Sequence, residues 1–69
     1  MSHYDDVVSE AQALDSEFRA GQLTADEYQE LLADLKHIHV INSSALDMAN
    51  KTRLNEWING LASAAGLLL

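Results

Sequence analysis

The chain has 69 residues, 48% of them apolar, with no cysteine or proline, three glycines and a formal net charge of −7. This length allows one small domain, which buries only roughly 60% of the surface its unfolded chain exposes. The missing cysteines exclude disulfides and thiolate metal sites, and the apolar content is too high for a disordered chain.

The charge is unevenly spread. Residues 1–34 hold nine acids against Arg19 alone, a balance of −8, and residues 35–69 hold Asp47 and Glu56 against Lys36, Lys51 and Arg53, a balance of +1. Direct phosphate binding needs a basic patch, so no direct nucleic-acid contact is expected. No basic, apolar signal-peptide pattern opens the sequence, and a cytoplasmic location is expected.

The first predicted helix covers about residues 3–20. Ser2-His3-Tyr4-Asp5 has the form of a capping box with Asp in place of Glu, and Asp5 and Asp6 suit the positive end of the helix dipole. Tyr4, Val7, Val8, Ala11, Leu14 and Phe18 recur in steps of three and four, forming one apolar stripe. Asp15 and Arg19, four apart, can pair across a turn, and Gly21 supplies a left-handed terminator.

The second helix is expected over about 25–41. Thr24-Ala25-Asp26-Glu27 is a complete capping box, and Leu23 and Tyr28 stand at staple positions. Its apolar stripe runs through Tyr28, Leu31, Leu32, Leu35 and Ile38. With only Gly21-Gln22-Leu23 between them, the two stripes are expected to fold together as an antiparallel hairpin. A third, amphipathic helix is expected over about 44–65, with Ser44-Ala45-Leu46-Asp47 as its cap. No glycine or proline forces a break between Gly21 and Gly60, so one long kinked helix is the alternative. The reading is thus an all-α fold in a single domain, residues 1–41 forming the hairpin and 42–69 the C-terminal helix and apolar tail. Self-association is expected to supplement so small a core, which implies an oligomer.

Residues Leu14, Phe18, Gly21, Leu23-Thr24, Glu27-Tyr28, Leu31 and Leu35 follow a pattern of apolar helix end, glycine, aliphatic-Thr, acidic-aromatic and leucines. Over about residues 11–36 this resembles the short C-terminal domain known as SHOCT. The resemblance implies a helical hairpin that supports oligomerisation or nucleic-acid-related assembly. Two departures stand against the pattern: more than thirty residues follow it, and Glu30 or Leu31 replaces the basic residue usual in the second helix. In size, acidity and lack of cysteine the chain is also similar to small bacteriophage gene products, which would place it in the virion or host cytoplasm.

His37 and His39 are two apart, about 200° around a helix, and cannot share a metal. No nucleophile–base arrangement appears and so small a chain offers little room for a water-excluding pocket, so neither enzyme activity nor a cofactor is expected. Asp26, Glu27, Glu30 and Asp34 form a candidate acidic patch for docking. Leu54, Trp57, Ile58, Leu61, Ala65 and Leu68 extend an apolar face beyond what one small core needs and form the candidate interface. The functional expectation is a protein-interaction or oligomerisation module with a structural or assembly role, its partner itself or another protein. The alternative is a small acidic inhibitor or adaptor of a basic or nucleic-acid-binding protein, by mimicry of DNA. Membrane attachment through Leu67-Leu68-Leu69 is opposed by the acidic charge, and that apolar end is too short to span a bilayer, which takes ~20 residues.

Overall fold

A computed structural model of the chain describes residues 2–67. Three α-helices account for most of them: α1 (His3–Arg19), α2 (Ala25–Lys36) and α3 (Met48–Leu67). A single π-helical segment, His37–Ile41, continues directly from α2. The all-helical expectation holds, and the long-helix alternative does not, because residues 42–47 separate the π segment from α3.

Both early caps form as their residues dictate. The Ser2 hydroxyl accepts from the Asp5 amide at 3.1 Å. At Thr24 the box is reciprocal: Thr24 Oγ1 accepts from the Glu27 amide at 3.1 Å, and Glu27 Oε1 accepts from the Thr24 amide at 3.0 Å. Gly21 ends the first turn region at φ +80°, where a Cβ would be strained. The end of α1 meets the start of α2 through Phe18 and Tyr28, whose rings stack at 4.7 Å and 5°. The Tyr28 hydroxyl donates to Asp15 Oδ1 at 3.1 Å, while Arg19 Nε donates to Asp15 Oδ2 at 2.8 Å. The start of α1 meets the π segment, where His3 Nε2 lies 2.7 Å from the His39 carbonyl oxygen. A carbonyl only accepts, so His3 carries a proton on Nε2.

The π turn differs from the expected α-helix through residue 41, and it changes which side chains are buried. Its wider loop is marked by the Asn42 amide donating to the His37 carbonyl, five residues back, at 3.1 Å. In an unbroken α-helix His39, four residues after Leu35, would fall on the core stripe, and Ile38 would lie in line with the exposed Leu31 seven residues earlier. Here Val40 takes the core position at 0% exposure, and Ile38 is 58% exposed. The extra residue in the turn has rotated the segment's phase.

α3 begins at Met48 rather than near Ser44. Leu46 is buried while still in the connecting segment, and Asp47 supplies the cap by accepting from the Asn50 amide at 2.8 Å. α3 packs on α2: Gln29 Nε2 donates to the Ala62 carbonyl at 3.0 Å and Lys36 Nζ to Asn59 Oδ1 at 2.8 Å. Gly66 makes room there, since a Cβ on it would stand 3.3 Å from Gln29 Nε2. The shared core takes Val7 and Ala11 from α1, Tyr28, Leu32 and Leu35 from α2, and Leu54, Ile58 and Ala65 from α3.

Candidate functional site

The residues expected to form an apolar interface divide sharply. Leu54, Ile58 and Ala65, spaced four and seven apart, lie inside the chain's own core. Trp57 and Leu61 are half-buried and packed against that core, and Leu68 lies outside the described residues. Among the described residues of this set only Trp57 and Leu61 keep a free edge, so most of the described apolar face of α3 is used in closing the fold.

The acidic residues are where their spacing puts them. Asp26, Glu27, Glu30 and Asp34 are all exposed on α2. Glu27 is engaged with the Thr24 backbone, a hydrogen bond that holds its carboxyl below the usual carboxylate range. Glu30 and Asp34, one turn apart, are like charges on one side of the helix.

A surface concavity lies elsewhere than on α3. It is a groove of about 330 Å³ between α1 and α2, floored by Leu14, Leu31, Leu35 and Ile38. Glu10 from α1 and Asp34 from α2 stand at its edges, with no lysine or arginine among its lining residues. Gln29 and Lys36 reach from α2 to α3, and Leu31 lies about 200° around the helix from Gln29. The groove therefore opens on the side of α2 turned away from α3. Leu31 and Ile38 remain 39% and 58% exposed within it.

Ile38 follows Leu31 by seven residues and shares its side of the helix, forming the far end of the groove, while the π turn gives the core position to Val40. The apolar spacing marked Leu31 and Ile38 as helix-stripe residues, but spacing alone does not say that among the described residues they stay exposed. A smaller concavity next to it gathers His3, Asp6, Val7, Glu10 and His39. Among the described residues no group of three or more His, Asp or Glu side chains has the arrangement to hold a metal ion. No described helix is long and apolar enough to cross a membrane. No family model, curated protein or solved structure matches the chain.

Proposed function

We propose that the chain is a non-enzymatic protein-interaction module of the adaptor or inhibitor class. Its three helices form a small platform, α1 and α2 pairing as an antiparallel hairpin, and the groove between them is the contact surface. The observation that carries this reading is the exposure of Leu31 and Ile38, two turns apart on one side of the helix, in one apolar concavity. Large aliphatic side chains left together at the surface of a small domain lose the stabilisation of burial until something covers them. The SHOCT resemblance over residues 11–36 enters the proposal as a source for the turn and caps of this hairpin.

The test is retention of a partner from an extract of the producing cells by the wild-type chain and by a Leu31→Glu, Ile38→Glu double variant. Both positions are exposed, so circular dichroism should show the variant folded. A discrete partner held by the wild type and by a Thr52→Glu control, but lost by the double variant, is the expected result. Equal retention by the double variant would contradict the reading.

A second reading, self-assembly, is favoured by a separate apolar site at the junction of the π segment and α3. Ile41 and Met48 are 47% and 77% exposed there, beside Thr52 and Asn55. Sedimentation at micromolar concentration decides it: a dimer abolished by Ile41→Glu and Met48→Glu supports self-assembly, and a monomer removes it.

A further inference from the structure

We infer that the groove between α1 and α2 receives a basic amphipathic helix of a partner protein, its aliphatic side chains on Leu31, Leu35 and Ile38 and its lysines or arginines at Glu10 and Asp34. This rests on the interaction-module reading above and adds the chemistry of the partner. The described chain has no strand and therefore no sheet edge, so an extended peptide finds no ladder of backbone partners to join. Recognition must come from side chains, which is the helix-in-groove mode.

The length fits that mode. Leu31 to Ile38 covers two helical turns, about 10 Å, and so matches a partner helix presenting apolar residues at i, i+3 or i+4, and i+7.

The charge selects the class of helix. Glu10 and Glu17 are seven residues apart and share one side of α1, while Glu30 and Asp34 share one side of α2; all four are exposed. None of the four lysines and arginines lines the groove, and His39 is the one basic side chain that does. Arg19 is paired with Asp15, Lys36 reaches Asn59, and Lys51 donates to the Ile41 carbonyl at 3.1 Å. An approaching basic helix meets an uncompensated negative rim around an apolar floor. A second copy of this chain would instead bring seven net negative charges to that rim, and like charges at an interface oppose association.

The experiment titrates the full chain with two synthetic helical peptides that share one aliphatic stripe, one flanked by lysine and arginine, the other by glutamine and serine. The basic peptide should bind about tenfold tighter in about 50 mM salt, and most of that preference should vanish in about 500 mM salt as the Debye length shrinks. A Glu10→Gln, Asp34→Asn variant should lose the preference while keeping affinity for the neutral peptide, and Leu31→Glu, Ile38→Glu should lose both.

Equal binding of the two peptides would overturn the charge assignment and leave the apolar groove standing. Basic-peptide binding unaffected by Leu31→Glu, Ile38→Glu would place the contact outside the groove and overturn the proposal. If neither peptide binds while the same double variant loses its cellular partner, the partner class is wrong and the interaction-module reading survives.

Discussion

At Tyr28 a stacked ring, a hydrogen bond and a nearby charge converge. Burial, then the hydrogen bond to Asp15 and its negative charge, push the phenol up to about 12. A folded-state value raised above the ordinary one contributes stability that is complete below about pH 10 and is lost as pH rises from there through about 12. Wild-type stability, followed by chemical denaturation, should fall between about pH 9.5 and 12. Tyr28→Phe should remove that part of the alkaline slope, at a cost of about 1 kcal/mol near neutrality for the lost hydrogen bond. A wild-type chain equally stable across that interval would contradict the assignment. Glu27 works in the opposite direction: its lowered value means that the capping contribution is present above the usual carboxylate range and is lost as pH falls through the folded value. Val40 and Ile38 give a second residue-scale prediction. Val40→Ala should cost about 2 kcal/mol for a fully buried side chain, and Ile38→Ala less than about 0.5 kcal/mol. Unbroken α-helical phase would centre His39 on the core and leave Val40 to one side, predicting a small cost for Val40→Ala as well, so thermal melts of the two variants test the π turn directly.

Among the elements, those whose signals are local were legible in the sequence. The Thr24 capping box, the Ser2 cap and Gly21 act within three or four residues, and each takes the form its chemistry dictates. The Leu54, Ile58, Leu61, Ala65 spacing likewise marked one face of α3. Its role was not legible, because periodicity shows that a face is apolar and not which surface covers it. The start of α3 was expected at a Ser44 cap, and it falls instead after Asp47, which accepts from the Asn50 amide while Leu46 is buried in the connecting segment. Asp47→Ala should therefore cost about 1 kcal/mol, and Ser44→Ala much less, in the same denaturation assay. No residue in His37–Ile41 signals a π turn. The wider loop follows from placing Val40 in the core, a tertiary demand that local propensity does not encode. The groove was not legible for a different reason: spacing marks Leu31 and Ile38 as apolar residues on one side of a helix, and does not show that the described residues leave them uncovered.

As a whole molecule, the chain closes a core of its own: its radius of gyration is 11.8 Å, against about 11 Å for a folded chain of this length. That closure uses Leu54, Ile58 and Ala65 and leaves Leu31 and Ile38 uncovered between the acidic helices α1 and α2. The central claim is that this groove, rather than the remaining edge of α3 at Trp57, is where partners bind. A photo-cross-linking amino acid placed at Ile38 and, separately, at Trp57 tests this in intact producing cells. A discrete heterotypic adduct is expected from Ile38 and little or none from Trp57. Adducts from Trp57 alone, with Ile38 silent, would contradict it.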